Sequence, residues 1–347
     1  MGVSDIDLSR LRRVLVIRSD NIGDVLCTTP AITALRSRLP NAYIAALVCT
    51  RSAEAISGHP AIDELFHYPK ASHTPTRPLS AHLELAKVLV KLRMKRFDLA
   101  LAMRGNFSPS LGWLAFASGA RWRLGPRPAA HQARWGFFLN VPVGPPPRHL
   151  HEVERNFFLL KHIQVDTTEK KLYLHLPEPA QQAAEAFLQH AGLARPVALH
   201  LWSAPYSPGR RWPAYAYAAL ASRIKRMGLE VVLTHGPGDE ALGKAVAEAA
   251  GGLKVFCAAS LKVFGALVAR CRAVVCVEGG VMHVAAAVGT PVVVLWDHAD
   301  PREWAPWGVE HIGVGGGGAV ERVHPAEVAE ALERLLAITE EHRCSGR

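Results

Sequence analysis

The stretch Arg13-Val-Leu-Val-Ile17, followed directly by Arg18-Ser-Asp-Asn-Ile-Gly-Asp24, decides the fold class of this sequence. The apolar, β-branched run predicts a buried strand, and residues 24–39, after the polar turn, predict a helix. A strand, a short loop and a helix open a parallel sheet, because parallel strands need crossover connections. The amino-terminal region therefore predicts an α/β protein.

Strands and helices continue to alternate beyond this unit. In the first half, strands are predicted at residues 43–48 and 98–103 with a helix at residues 81–96 between them. Residues 124–149 are rich in Pro, Gly and Arg, which predicts irregular surface.

The alternation starts again in the second half. The predicted strands span residues 197–201, 230–234, 273–277 and 291–295, and the helices between them span residues 214–227, 240–250 and 283–288. Residues 315–318 predict a flexible loop, and residues 325–338 predict a closing helix. Both halves are thus predicted to be doubly wound domains, whose ligands bind outside the carboxyl ends of the strands.

Composition fits an ordinary globular protein of two domains. The 347 residues are 49% hydrophobic and 20% charged, and this length favours two domains over one. No uncharged apolar run is long enough to span a bilayer, and residues 1–13 lack the apolar stretch of a secretory signal. The six cysteines lack the spacing of a zinc site, which indicates free thiols in a reducing compartment. The predicted location is therefore the cytoplasm.

The formal net charge of +10 favours anionic partners such as nucleotides, phosphorylated glycans or lipid surfaces. The basic residues are scattered, and no aromatic platform or helix-turn-helix pattern marks a nucleic-acid surface. Nucleic acid is therefore not an expected partner.

The first candidate site is the loop that ends at Gly23 and Asp24. Gly23 allows a tight turn and close approach of a ligand, and Asp24 stands at the helix start, where free N–H groups point outward. Two interpretations stay open for Asp24, which either caps the helix or acts as a functional carboxylate. The dinucleotide fingerprint Gly-x-Gly-x-x-Gly is absent here.

The second candidate site runs from Ser203 to Arg210-Arg211-Trp212-Pro213, between a strand and a helix. Paired arginines at the carboxyl end of a strand suit forked contacts with phosphate oxygens. The alternative is a solvated basic loop in which Trp212 packs on the domain.

The third candidate site is Glu278-Gly279-Gly280-Val-Met-His283, again between a strand and a helix. Two glycines ahead of a helix expose backbone N–H groups to an anion, and His283 falls in the first helical turn. Three such loops at strand ends, two of them in one domain, together predict a shared anion site.

These segments resemble the heptosyltransferase family of bacterial lipopolysaccharide core synthesis, which is glycosyltransferase family 9 of the GT-B type. The matching segments are residues 14–31, the Arg-Arg-Trp-Pro loop and residues 267–308, which include Gly289-Thr-Pro-Val-Val-Val-Leu and Asp300-Pro-Arg-Glu-Trp-Ala-Pro-Trp-Gly308. They occur in the family's order and cover most of the chain.

The resemblance implies a GT-B fold, in which two doubly wound Rossmann-like domains turn their parallel sheets toward an inter-domain cleft. Residues 12–168 would bind the acceptor, residues 169–195 would form a linker region, and residues 196–322 would bind the nucleotide sugar. Residues 323–347 would form a helix and tail that pack back on the first domain. The implied reaction transfers a heptose from ADP-heptose to a glycan hydroxyl, with inversion at the anomeric carbon.

The resemblance also implies roles for individual residues. Asp24 matches the general base, which takes the proton of the acceptor hydroxyl. Arg210 or Arg211 would neutralise the leaving diphosphate, and Glu240 matches a position associated with the ribose. The remaining residues of the predicted nucleotide-sugar site are Gly23, Ser203, Glu278, Gly279, Gly280 and His283.

One motif departs from the family pattern, because Glu278-Gly279-Gly280 stands where the family has Asp-Ser-Gly or Asp-Thr-Gly. A hydroxyl is missing and the carboxylate is one methylene longer, yet the backbone N–H donors remain, so diphosphate binding is still expected. A serine at position 279 is expected to be tolerated. Two alternatives stay open: a non-catalytic nucleotide- or glycan-binding protein, and a GT-B enzyme with another donor or with epimerase activity.

No permanently bound cofactor is expected, since the nucleotide sugar is a cosubstrate. No two-His or Asp-x-Asp cluster marks a metal site, although Glu278 could help to hold a divalent cation beside a diphosphate. The expected partners are the nucleotide sugar and an anionic glycan or glycolipid acceptor, with peripheral contact at the inner membrane.

Overall fold

A computed structural model of the chain describes residues 6–70, 79–201, 211–318 and 320–344. The chain divides into two compact units, Met1–Tyr173 and Leu174–Arg347. Each unit contains a parallel sheet of six strands.

The first sheet has the strand order β3-β2-β1-β4-β5-β6. Its strands are β1 (Arg13–Arg18), β2 (Tyr43–Cys49), β3 (Glu64–Tyr68), β4 (Leu99–Ala102), β5 (Trp122–Pro126) and β6 (Val141–Val143). In the centre, Val16 of β1 lies opposite Ala46 on one side and Leu101 on the other. Helices cover both faces of such a sheet, which explains why β1 is an unbroken apolar run rather than an alternating one.

The helices of the first unit are α1 (Ile22–Leu26), α2 (Thr29–Arg38), α3 (Leu79–Lys95), α4 (Pro109–Ala117) and α5 (Glu152–Lys161). The sequence predicted a single helix over residues 24–39, whereas the structure has two helices that separate at Cys27 and Thr28. Pro30 explains the break, because proline has no N–H to continue a helix but fits in a first turn, which is where α2 holds it.

The second sheet has the strand order β12-β11-β10-β7-β8-β9. Its strands are β7 (Val197–His200), β8 (Val231–His235), β9 (Lys254–Cys257), β10 (Ala273–Val277), β11 (Val292–Trp296) and β12 (His311–Gly315). Counted from its own first strand, this sheet repeats the order of the first one. In both sheets the first and fourth strands are neighbours, and the strand order reverses between them. Ligands of open α/β sheets bind at that switch point, outside the carboxyl ends of the strands.

The helices of the second unit are α6 (Glu178–Ala191), α7 (Ala214–Arg226), α8 (Glu240–Ala249), α9 (Leu261–Val268), α10 (Gly280–Ala287), α11 (Pro301–Trp304) and α12 (Pro325–Cys344). Helix α6 lies within the region that the sequence assigned to a linker, but it packs against α9 and so belongs to this unit. Helix α12 packs against α7, β11 and β12, and its Leu332 and Leu335 are fully buried in the core of the same unit.

The fold class predicted from the sequence, two doubly wound α/β domains of the GT-B type, is confirmed. Within it, β5 and β6 fall in residues 124–149 or at their border, where irregular surface was predicted. A short 3-10 helix, Ala130–Phe138, connects these two strands. Among the described helices, none combines the length and the apolar composition needed to cross a membrane.

Candidate active site

Arg18 is the last residue of β1, at the switch point of the first sheet, and its side chain is only 2% exposed. Its guanidinium donates to Oε1 of Glu152 at 2.7 Å and to Oδ1 of Asp24 at 2.6 Å. Its Nε lies 3.1 Å from Oδ2 of Asp20. Burial opposes the positive charge, but the carboxylates of Glu152, Asp24 and Asp20 outweigh it and raise the pKa of Arg18 above its ordinary value. Arg18 is thus a fixed cation that organises three carboxylates.

Asp24 is the third residue of α1, and the helix cap is Asn21. The idea that Asp24 itself caps the helix is therefore wrong. Instead, Oδ2 of Asp24 accepts a hydrogen bond of 3.1 Å from the backbone N–H of Asn21, as in a capping box. Arg18 and Asn21 supply one such bond to each carboxylate oxygen, and each oxygen can accept a second. With 16% of the side chain exposed, Asp24 is held in orientation and still accessible.

Basic residues follow the strands on both sides of Asp24. Arg51, Lys70 and Arg104 lie just after β2, β3 and β4 respectively. Lys70 donates to the carbonyl oxygen of Ser19 at 2.6 Å, and Arg104 lies 3.3 Å from Oδ1 of Asp20. The side chains of Lys70 and Arg104 are 26% and 43% exposed, and Nζ of Lys70 also lies 3.7 Å from Oδ1 of Asp20. This edge of the sheet thus has four cations, counting Arg18 and Arg51, against the three carboxylates of Asp20, Asp24 and Glu152, which leaves an excess of positive charge.

Glu278 directly follows β10, at the switch point of the second sheet, and it is 1% exposed. Its Oε2 accepts hydrogen bonds from the backbone N–H groups of Asp297 at 3.2 Å and Ala299 at 3.1 Å. Glu278 therefore anchors the loop after β11. Its carboxylate is directed to that backbone, which differs from the expectation that it could help to hold a cation beside a diphosphate.

Gly279 is the N-cap of α10 and has φ 153° and ψ −162°. This region of backbone conformation is essentially restricted to glycine, so a side chain here is strained. This conformation argues against the expectation that a serine at position 279 would be tolerated. Gly280 is the first residue of α10, and the N–H groups of a first helical turn have no partners within the helix. Backbone donors are thus available here for an anion, without any hydroxyl.

His283 lies in α10 but is only 2% exposed. Its imidazole meets the indole of Trp304 edge to face, with 6.2 Å between the ring centroids. The sequence predicted that His283 would lie beside donor phosphates, whereas its ring is enclosed in the second unit. Its place in the short helix explains the difference, because the fourth residue of α10 faces the interior.

Strand β7 is next to β10 in the sheet, and β8 is next to β7. Glu240 starts the helix after β8, and the charge of Arg211 acts on the neighbouring Asp239. Arg211 is exposed, while the neighbouring Trp212 is 2% exposed and donates from Nε1 to the carbonyl oxygen of Val323 at 2.9 Å. Trp212 thus packs on its domain, and this contact fixes the backbone next to Arg211. Both carboxylate oxygens of Glu240 accept from the N–H of Gly238 at 3.1 Å, and backbone donors lower its pKa. Ser203 and Arg210 lie outside the described residues.

Two features of the strand ends escaped the sequence analysis. One is the role of Arg18 with Glu152, which are 134 residues apart, so no local pattern links them. The other is His200 at the end of β7, whose Nδ1 lies 3.0 Å from Oγ1 of Thr234. Burial, assisted by the charge of His235, lowers the pKa of His200 to about 4. The sequence signal that could have identified His200 is a polar residue directly at the end of an apolar strand.

Comparison with known proteins gives consistent matches over most of the chain. The family model described as Glycosyltransferase family 9 (heptosyltransferase) matches residues 85–326. Lipopolysaccharide heptosyltransferase 3 of Escherichia coli is 26% identical over 300 residues, which cover 82% of this chain and 83% of that protein.

Solved structures resemble this chain over a similar extent. The glycosyl transferase family 9 structure from Veillonella parvula DSM 2008 has a TM-score of 0.81 at 21% identity, covering 94% of this chain and 97% of that one. The E. coli heptosyltransferase WaaC with ADP-2-deoxy-2-fluoro heptose has a TM-score of 0.72 at 21% identity, covering 93% and 99%. At these identities, the structural similarity shows a common fold.

Proposed function

This chain belongs to glycosyltransferase family 9 and is a glycosyltransferase, and from that premise we propose that it transfers a heptose from ADP-heptose to a hydroxyl of a lipopolysaccharide-core or related glycan acceptor. The observation that carries the proposal is the carboxylate of Asp24, which Arg18 orients at the switch point of the first sheet while leaving it accessible. A general base needs that combination of fixed geometry and access.

In the proposed reaction, the acceptor hydroxyl attacks the anomeric carbon of the heptose. The new C–O bond forms as the bond from that carbon to the diphosphate oxygen breaks, and the hydroxyl proton passes to Asp24. Attack opposite the leaving group inverts the anomeric configuration. The departing nucleoside diphosphate takes the electron pair of the broken bond, so its negative charge needs stabilisation.

The donor is proposed to bind at the switch point of the second sheet. The first-turn N–H groups of α10, beginning at Gly280, supply neutral donors for phosphate oxygens, and Arg211, with Arg210, supplies positive charge. Glu240 is proposed to contact the ribose, because it starts the helix after β8, the second strand from β10 in the sheet. The ADP-sugar in the related E. coli structure supports ADP-heptose as the donor.

The acceptor is proposed to be anionic. Arg51, Lys70 and Arg104 line the edge at which Asp24 lies, and their charges suit phosphate or carboxylate groups on a glycan. The name of the E. coli relative, a lipopolysaccharide heptosyltransferase, supports a lipopolysaccharide core as that glycan.

The test is to incubate the purified protein with ADP-heptose and a lipopolysaccharide core that lacks the heptose. We expect ADP release that depends on the acceptor, together with a mass gain of one heptose on the glycan. UDP-N-acetylglucosamine serves as the control donor and should give neither product. ADP binding without transfer would favour a non-catalytic binding protein, and conversion of the free nucleotide sugar would favour an epimerase.

A further inference from the structure

Helix α3 exposes a stripe of large apolar side chains. These are more than half exposed and are spaced by four, seven and four residues: Leu79 (75%), Leu83 (54%), Val90 (59%) and Met94 (74%). Such spacing places them on one side of a helix. On the opposite side, Leu85 and Leu92 are buried in the core of the first unit. The stripe is therefore not needed to attach α3 to its sheet.

A second exposed apolar group lies on the same face of the first sheet. It consists of Trp113 and Phe116 of α4 and Phe137 of the 3-10 helix, which are 38%, 44% and 60% exposed. Leu111 and Leu114 of α4 share one core cluster with Leu85 and Leu92 of α3, so both helices cover one face of the sheet. We call the α3 stripe and this aromatic group together the apolar face.

The apolar face concentrates nearly all exposed large apolar side chains of the described residues. Outside it, Tyr215 in the second unit is the exception, at 69% exposed. Scattered single apolar residues need no explanation, but a cluster on one face marks an interaction surface.

Positively charged residues lie beside the apolar face. Lys87, Lys91 and Arg93 are exposed on α3, whose sequence contains a single acidic residue, Glu84. Between Asp98 and Glu152 the sequence has no acidic residue at all, yet it has six arginines: Arg104, Arg121, Arg123, Arg127, Arg134 and Arg148. Of these, Arg123 lies over the ring of Phe116, 5.5 Å from its centroid, and Arg134 lies over the ring of Trp135, 5.1 Å from its centroid. Cationic groups therefore lie beside the exposed apolar side chains of both groups.

We propose that the apolar face docks on a membrane surface rich in anionic lipids. Its apolar side chains insert at the boundary between headgroups and acyl chains, and the surrounding lysines and arginines pair with lipid phosphates. A second copy of this chain fits less well, because self-association would bring these like charges together.

The orientation of α3 relates the membrane-docking surface to the edge of the sheet that carries Asp24. The helix connects β3 to β4, two parallel strands, so it runs in the opposite direction and its Leu79 end lies at the carboxyl edge of the sheet. Asp24 lies at that same edge. An acceptor held in the membrane by a lipid would therefore meet the edge of the sheet that carries the candidate base.

The test is sedimentation of the full-length protein with phosphatidylcholine vesicles that contain or lack phosphatidylglycerol. We expect binding to the anionic vesicles alone. The double variant Leu83→Glu/Val90→Glu should lose that binding, and each of Lys87→Gln and Lys91→Gln should weaken it about fivefold. Tyr215→Glu is the control for each single substitution, Leu83→Glu or Val90→Glu, since it adds one negative charge at an exposed apolar position in the other unit, and it should bind like the wild type.

The proposal would be overturned if the wild-type protein did not sediment with anionic vesicles, or if the double variant bound them as well as the wild type does. Analytical ultracentrifugation tests the alternative occupant. If the wild type is a dimer, the double variant is a monomer and neither binds vesicles, the apolar face is the interface with a second copy of this chain. Because these assays contain neither donor nor acceptor, their failure would leave the transferase proposal intact.

Discussion

Arg18 and Glu152 form a buried ion pair with an N–O distance of 2.7 Å, and both side chains are 2% exposed. Glu152 is the first residue of α5, so the pair connects the end of β1 to the start of a helix far along the chain. The same guanidinium contacts Asp24. Glu152 therefore acts on the candidate base through one shared cation, as a positioning residue.

Replacing Glu152 with Ala is expected to lower the free energy of unfolding by about 3 kcal/mol, because a buried cation loses a partner. Urea denaturation measures the loss. Glu154→Ala is the control, since Glu154 lies in the same helical turn and is less buried. Equal losses for the two variants would show that the ion pair does not stabilise the fold.

Asp24→Asn is expected to lower the rate of heptose transfer by about 10² to 10⁴, because an amide cannot take the proton of the acceptor. Affinity for ADP should stay unchanged, since the donor is proposed to bind the other sheet. Turnover and calorimetry with ADP measure the two effects. Asp166→Asn, at an exposed carboxylate of the same unit, is the control. Wild-type turnover in Asp24→Asn would leave Asp24 with the structural role of the capping box.

His200 should make stability depend on pH. Its pKa is lowered to about 4 in the folded protein, against an ordinary value of 6.5. As the pH falls from 6.5 towards 4, the unfolded chain binds a proton that the folded one does not, so stability decreases over this window. We expect a loss of about 2 kcal/mol between pH 7 and pH 4.5.

Urea denaturation of His200→Asn at both pH values isolates this contribution, because the asparagine does not titrate. The variant should lose less stability than the wild type on acidification. His190→Asn removes an exposed histidine from α6 and should behave like the wild type. If His200→Asn and the wild type lose the same amount, the imidazole of His200 titrates normally.

Gly280→Val is expected to weaken ADP binding by about tenfold or more, because a branched side chain at the start of α10 would keep phosphate oxygens from the backbone donors. Gly280→Ala should have a smaller effect. Calorimetry gives the affinities, and the thermal midpoint shows whether the domain stays folded. Unchanged affinity in a folded Gly280→Val variant would place the diphosphate elsewhere.

The sequence predicted central strands better than edge strands, for a physical reason. The strand β10 was predicted over its observed range, because Ala273–Val277 is buried along its whole length and reads as a continuous apolar run. The edge strands β9 and β12 were missed. Lys254 and Cys257 of β9 are exposed, and β12 ends in two glycines separated by one valine, so neither strand has that run.

The sequence predicted the position of a site residue where a local pattern fixes it. It predicted side-chain orientation less well, because tertiary contacts decide that orientation. The turn after β1 put Asp24 at the start of the first helix, and the structure has Asp24 as the third residue of α1. The ring of His283 contacts Trp304, and the carboxylate of Glu278 accepts from the backbone of Asp297. Neither contact has a signature within the motif itself.

The repeated strand order has a consequence for biosynthesis. Both sheets have the same strand order and are built from apolar strands. When the full-length chain folds at once, a strand could therefore pair with the wrong sheet. Each sheet, however, takes its strands from one uninterrupted piece of the chain. At about 5 to 20 residues per second, the ribosome delivers β6, the last strand of the first sheet, well before most of the second sheet exists. Synthesis from the amino terminus thus lets the first sheet form before the strands of the second sheet are available to pair with it.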